Sequence, residues 1–178
     1  MSSPAGARVM RAESELPGGT EPRYTIATLV SDRAQYDAMR ASFRAGGFNG
    51  GDSEYLFIDN TGPRQTDAYH GLNALLNAAR APLVILCHQD VRLLSDGCDA
   101  LDARLSSLGQ IDAGWAVAGN AGGVAPGQLA LRISDPHGRD VHVGELPAKV
   151  ATLDENFLVV RRDARIGFSN DLSGFHFY

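Results

Sequence analysis

Tyr24-Thr-Ile-Ala-Thr-Leu-Val30, followed at once by Ser31-Asp32, is the stretch on which the fold reading turns. Seven residues rich in β-branched and aromatic side chains with no charge among them suit a strand covered on both faces. Asp32 then stands where a helix N-cap is needed, with Gln35 three positions on, and Tyr36, Met39 and Phe43 recur at helical spacing until Gly46-Gly47. The passage predicts a strand running into a helix, and its neighbours repeat the theme.

Downstream, Glu54-Tyr-Leu-Phe-Ile58 reads as a second strand and Asp59-Asn-Thr-Gly-Pro63 as a turn. A helix beginning near Thr66 or Asp67 carries Ala68, Leu72, Leu75, Leu76 and Ala79 as one apolar stripe. Leu83-Val-Ile-Leu-Cys87 is apolar throughout, as a central strand would be, and ends in His88-Gln89-Asp90. Cys98, Leu101, Leu105 and Leu108 mark a third helix, and Trp115-Ala-Val-Ala118 a further strand. The alternation predicts a three-layer α/β/α sandwich with a mostly parallel sheet. Beyond Gly119, Leu129, Leu131 and Ile133 alternate, Asp135-Pro-His-Gly138 has turn chemistry, and Val141 and Val143 alternate on the return, predicting an added antiparallel hairpin. Phe157-Leu-Val-Val160 reads as a last strand. Residues 1–23 lack periodicity and read as a loose tail, leaving one domain over 24–178.

Composition narrows the function. With 44% hydrophobic and 21% charged residues the chain is of globular type. A net charge of -5 supplies no basic excess to neutralise a phosphate backbone, which argues against nucleic acid. Cys87 and Cys98 fit no zinc spacing and are too few for a disulfide framework, which suits a cytoplasmic protein. No apolar run reaches the roughly 18 to 20 residues that span a bilayer.

In α/β sheets ligands gather at the carboxyl ends of strands. Four clusters occupy such places: Ser31-Asp32, Asp59-Asn60, His88-Gln89-Asp90 and Gly119-Asn-Ala-Gly-Gly123. In extended backbone His88 and Asp90 would share a side and together hold a divalent ion, Mn²⁺ or Mg²⁺; the alternative is a hydrogen-bonded histidine closing the strand and an aspartate capping a turn. Asp59 either meets a ligand or serves the turn it begins. The glycine run lacks the dinucleotide fingerprint and reads as a bend. Asp154 and Glu155, before the last strand, are candidates for a general base or a hydroxyl-binding pair, against solvated turn carboxylates. His137 and His142 sit on the hairpin and would be further ligands only in a metal hydrolase.

Several strings together, Asp32-Arg-Ala-Gln-Tyr36, Glu54-Tyr-Leu-Phe-Ile-Asp-Asn60, Cys87-His-Gln-Asp-Val91, Trp115-Ala-Val-Ala-Gly-Asn-Ala-Gly-Gly123, Leu153-Asp-Glu-Asn-Phe157 and Gly174-Phe-His-Phe-Tyr178, resemble a small glycosyltransferase-like family named after a streptomycin-biosynthesis protein and related to family 2, GT-A type enzymes. The resemblance implies a GT-A fold and a metal-dependent glycosyltransferase taking a nucleotide-diphospho-sugar donor and an unknown sugar or small-molecule acceptor. It implies Val30, Ser31, Asp59, Asn60 and Gln89 at the donor, Asp90 with His88 on Mn²⁺ or Mg²⁺, and Asp154 and Glu155 beside the acceptor or transferred sugar. His88 stands where such enzymes carry the first carboxylate of Asp-x-Asp, and their catalytic base lies just beyond the position of Tyr178. The alternatives are a non-catalytic nucleotide-sugar or carbohydrate-binding domain and a His/Asp metal hydrolase.

Overall fold

The computed structural model of the chain describes residues 8–12, 21–135 and 138–174. Strands β1 (Val9–Arg11), β2 (Tyr24–Val30), β3 (Ser53–Asp59), β4 (Leu83–Cys87), β5 (Val117–Gly119) and β10 (Phe157–Arg161) form a six-stranded sheet of order β1-β3-β2-β4-β10-β5. Between β5 and β10 the chain makes a second, four-stranded sheet, β8-β7-β6-β9, from β6 (Ala121–Ala125), β7 (Gln128–Ser134), β8 (Asp140–Val143) and β9 (Thr152–Leu153). Helices α1 (Arg33–Ala45), α2 (Ala68–Ala78) and α3 (Cys98–Ile111) connect β2 to β3, β3 to β4 and β4 to β5.

The helices form where capping and apolar spacing meet. Asp32 accepts the amides of Ala34 and Gln35 at 2.8 and 3.1 Å, and α1 buries Tyr36, Met39 and Phe43. Asp67 caps α2 by accepting the His70 amide at 3.1 Å. Alternation along the strands then sorts the core into two faces. Tyr24, Ile26, Val30, Tyr55, Phe57, Ile85 and Cys87 pack with α1 and with Leu101 and Leu105 of α3. Ala27, Leu56, Ile58, Val84 and Leu86 pack with Leu75 of α2 and with Ala79 just after it.

The expectation of a GT-A type, mostly parallel α/β/α sandwich is overturned by this topology. Only β2–β3 and β2–β4 are parallel pairs, whereas β1–β3, β4–β10 and β5–β10 are antiparallel. Every pairing of the second sheet is antiparallel as well. Ten strands stand against three α-helices among the described residues, so the protein is mostly β. The physical reason is β10: its apolar sequence suits any buried strand, and only the path of the preceding chain makes it enter between β4 and β5 in the opposite direction.

Three further places depart from the sequence reading. Val9–Arg11, inside the stretch read as a loose tail, pairs antiparallel with β3 in the register Met10↔Phe57. A buried carboxylate anchors it: Glu54, 1% exposed, forms an ion pair with Arg11 and also accepts from Thr25 Oγ1 at 2.7 Å and from the Arg80 amide and Nε at 2.8 and 2.9 Å. The expected single hairpin, found as β7–β8 with Leu131↔Val143 and Ile133↔Val141, belongs to the larger second sheet. The glycine run read as a bend supplies β6, where a Cβ on Gly122 would lie 2.4 Å from the Thr152 carbonyl, so glycine lets β9 approach.

Candidate functional site

Strands β2, β3, β4 and β5 all end at one edge of the large sheet, and β10 begins there, so Ser31-Asp32, Asp59-Asn60, His88-Gln89-Asp90, Asn120 and Asp154-Glu155-Asn156 come to a common rim. Gln89 links two of these strands. Its Oε1 accepts the amides of Ser31 and Asp32, each at 2.8 Å, and its Nε2 donates to Ser31 Oγ at 2.8 Å. Arg33, the first residue of α1, donates to Asp59 Oδ2 at 2.6 Å while its guanidinium lies over the Phe57 ring at 4.5 Å. Asp59 Oδ1 accepts from the Thr61 hydroxyl and amide at 2.7 and 3.0 Å. Those two Thr61 bonds, followed by the bond from Arg33, hold the Asp59 carboxyl down at about 2.

Asn60 is buried and works on its own loop: Nδ2 donates to the Thr66 carbonyl, Oδ1 accepts the Thr66 amide, and its backbone amide donates to Val30 O at 2.7 Å. Val30 is fully buried in the α1 core. His88 and Asp90 are exposed, and the strand stops at Cys87. The His88 amide donates to Asn156 O at 3.0 Å, and its carbonyl accepts the Val91 amide at 3.3 Å, closing a turn through Gln89 and Asp90. The extended alternation that placed both side chains on one side therefore does not apply here. Asp154 is exposed, its Oδ1 accepts the Asn156 amide at 2.9 Å, and its own amide donates to Ala121 O at 3.0 Å.

Two further side chains at this rim carry no role in the sequence reading, although Asn120 belongs to the run Gly119-Asn-Ala-Gly-Gly123. Asn120 Oδ1 and Asn156 Oδ1 lie out of solvent contact without a hydrogen-bond partner among the described residues. Asn120 sits between Gly119, paired with Leu158, and Ala121, which accepts from Asp154, so both asparagines belong to the β5–β10 end of the rim. The sequence signal for them is slight: each is a polar residue flanking a short apolar strand. Arg33 and Thr61 were likewise missed, although both adjoin residues that were singled out.

Carboxylates predominate at the rim. Asp32, Asp59, Asp90, Asp154 and Glu155 contribute acidic groups, against Arg33, engaged with Asp59, and Arg92, whose guanidinium is spent on the carbonyls of Gln89 and Val91. His88 and Asp90 provide at most two donors to a metal ion, and among the described residues no set of three or more His, Cys, Asp or Glu is gathered to hold one. His137, a conjectured hydrolase ligand, lies outside the described residues, and His142 lies on β8, paired with Arg132 in the second sheet. Two cavities, of about 820 and 730 Å³, lie away from this edge: one beside Leu83 and Arg161, the other between Gly46 of the α1 terminus and Gly97 before α3.

No family model matches the chain. Over 164 residues it is 37% identical to a protein of Fuscovulum blasticum named "ATP synthase subunits region ORF 6", in an alignment covering 87% of this chain and 65% of that relative. The chain thus spans a little under two thirds of that protein's length. Together with the mixed and antiparallel sheets, these findings overturn the resemblance to a glycosyltransferase-like family and the activity, sugar-nucleotide donor and alternative functions drawn from it. Of the six strings that carried the resemblance, Gly174-Phe-His-Phe-Tyr178 lies, Gly174 apart, outside the described residues; the other five cover a helix start, strands and the turns at their ends, where Asp, Asn, Gly and His recur for local backbone reasons in many unrelated sequences. Among the described residues no helix is long and apolar enough to cross a membrane.

Proposed function

We propose that the rim formed by the ends of β2, β3, β4 and β5 and the start of β10 is a binding site for a small polar ligand rich in hydrogen-bond donors, accompanied by a divalent cation, Mn²⁺ or Mg²⁺. The observation that carries this reading is the pairing of a braced edge with unused acceptors. Gln89 joins the ends of β2 and β4 and Arg33 joins the start of α1 to the end of β3, while Asn120 Oδ1 and Asn156 Oδ1 have no donor among the described residues. Surrounding carboxylates favour a cation or an amine over an anion. Ser31, Asp59, Gln89, Asp90, His88, Asp154 and Glu155 are the residues assigned to it, with Asn60 and Val30 supporting the rim from beneath. His88 and Asp90 supply two donors to the cation, and ligand or water oxygens supply the rest.

Titrating the chain with MnCl₂ and, separately, MgCl₂ tests this while backbone amide resonances are followed. Broadening or shifts confined to Ser31, Asp90 and Asn156, and lost in Asp90→Ala, are expected. Perturbation scattered over the helices, or none up to millimolar cation, would overturn the reading.

The Fuscovulum blasticum relative is named for a reading frame of the ATP synthase subunits region, which motivates a second proposal, that the protein works in association with ATP synthase. Affinity capture with the tagged chain, read for ATP synthase subunits at near-stoichiometric yield, tests it; their absence from a complex isolated intact would count against it.

A further inference from the structure

The cavity of about 820 Å³ lies at the other edge of the large sheet from the rim. It adjoins Leu83, where β4 starts, whereas the rim begins after Cys87, four residues and about 13 Å further along the strand. Leu76, Leu83, Val160 and Trp115 give it apolar surface, and the polar part of its lining comes from Asn77, Arg161, Arg162, Arg165 and one carboxylate, Asp163.

The arginines of this segment are not equivalent. Arg161 is committed: it pairs with Asp163 at 2.6 Å, donates to the carbonyls of Ala113 and Trp115 at 2.8 and 3.1 Å, and its guanidinium lies 5.6 Å from the Trp115 ring. It fixes the indole in place. Arg162 donates to the Arg80 carbonyl at 3.2 Å and meets no carboxylate among the described residues. Arg165 has no side-chain ion pair or hydrogen bond among the described residues, and its backbone is left-handed at φ 51°, ψ 39°. A long charged side chain seldom adopts that conformation, and such residues gather where a side chain must be aimed for function. The cavity's one lining carboxylate, Asp163, is taken up by Arg161, so in a chain of net charge -5 the two arginines left without an acidic partner among the described residues are a local reversal of sign.

From this we infer that the cavity is a binding site for a small anion of phosphate or carboxylate type borne on an aromatic or aliphatic body. Arg162 and Arg165 take the anionic oxygens through charge-assisted hydrogen bonds, for which the guanidinium fork is suited. The apolar body lies along Leu76, Leu83, Val160 and the Trp115 ring. This inference is independent of the rim and of any cation held there.

Trp115 is the one tryptophan of the chain and lines this cavity, so emission excited selectively in the indole reports on its surroundings. The whole chain is titrated with phenyl phosphate, inorganic phosphate and phenol. A saturable change in emission is expected with phenyl phosphate, with apparent affinity about tenfold or more above either half-ligand, since each lacks one of the two contacts. Arg165→Asn removes the charge while keeping a side chain that tolerates the left-handed backbone. Alone, or combined with Arg162→Ala, it is expected to weaken phenyl phosphate severalfold without moving the far-ultraviolet circular dichroism or the thermal midpoint. No saturable change in the native chain, an unaltered affinity in Arg165→Asn and in the double variant, or binding of phenol as tight as of phenyl phosphate would each overturn the inference. Phosphatidylglycerol vesicles form a separate arm; emission that responds to vesicles and not to phenyl phosphate would also overturn it, by making the anion a lipid surface.

Discussion

Gln89 grips Ser31 from both ends of its amide, accepting the Ser31 backbone N–H at 2.8 Å and donating to the Ser31 hydroxyl at 2.8 Å. A two-sided link of this kind fixes the distance between the carboxyl ends of β2 and β4, strands whose ladder pairs Ala27 with Leu86 and is not prolonged to Val30. The side chain does at the rim what backbone does lower in the sheet. It also satisfies the Asp32 amide, at the residue that caps α1.

Gln89→Ala should therefore loosen the rim more than it destabilises the protein. The group is partly exposed, so the loss of folding free energy is set at about 1 kcal/mol. Amide hydrogen exchange at Ser31 and Asp32 is expected to quicken, with exchange in the middle of β2 unchanged. Gln89→Glu keeps an acceptor for both amides and should retain most of the protection.

Glu54 makes stability sensitive to acid. Burial by itself would raise its pKa, but the Arg80 amide, the Thr25 hydroxyl, the Arg80 guanidinium and the Arg11 charge together hold it below the ordinary 4.5. A folded-state pKa lowered in this way contributes stability that is complete above about pH 4.5 and is lost as pH falls through the folded value. Glu54→Gln is expected to cost about 2 to 4 kcal/mol at pH 7 and to flatten the acid limb of stability against pH, read by urea unfolding between pH 3 and pH 7.

Asp59 titrates at about 2 because Thr61 and Arg33 bind its charged form. Thr61→Val removes the hydroxyl donor and leaves the Arg33 contact, so the carboxyl resonance of Asp59, followed by ¹³C NMR, should titrate at higher pH in the variant. Equal midpoints in the two proteins would show that the hydroxyl bond does not set the value.

Gly97 lies against Gly46 where the end of α1 meets the start of α3. An added Cβ would be 2.3 Å from the Gly46 carbonyl oxygen, which already accepts the Cys98 amide at 2.7 Å. Gly97→Ala must push the two helix ends apart and is expected to destabilise by about 1 to 3 kcal/mol, seen as a fall in thermal midpoint. Gly62→Ala, with open space around it, serves as the comparison and should change little.

Much of the local structure could be read from side-chain periodicity. Tyr36, Met39 and Phe43 are buried as their spacing demands, and of the stripe from Ala68 to Ala79 the residues Ala68, Leu75 and Ala79 are buried while Leu72 and Leu76 are half-buried. Strand direction was not legible, because Phe157-Leu-Val-Val160 would read the same whether parallel or antiparallel to β4. β1 was hidden by its brevity, and its anchor depends on Glu54, a residue distant in sequence. At the rim, the grouping of strand ends followed from the topology of β2, β3 and β4, but the orientation of His88 and Asp90 did not. Their geometry depends on where β4 stops: the strand ends at Cys87, and the chain turns through the three residues, His88 to Asp90, that the alternation needs extended.

The position of β10 has a consequence for biosynthesis. Among the described residues the sixth strand in the sheet's order is joined to the ladder only through β10, so β5, although made some forty residues sooner, has no strand partner until Phe157–Arg161 leaves the ribosome. A nascent chain arrested before that point would carry a bare apolar flank on β4 and a stranded β5, the kind of open seam that recruits chaperones or sticks to other chains.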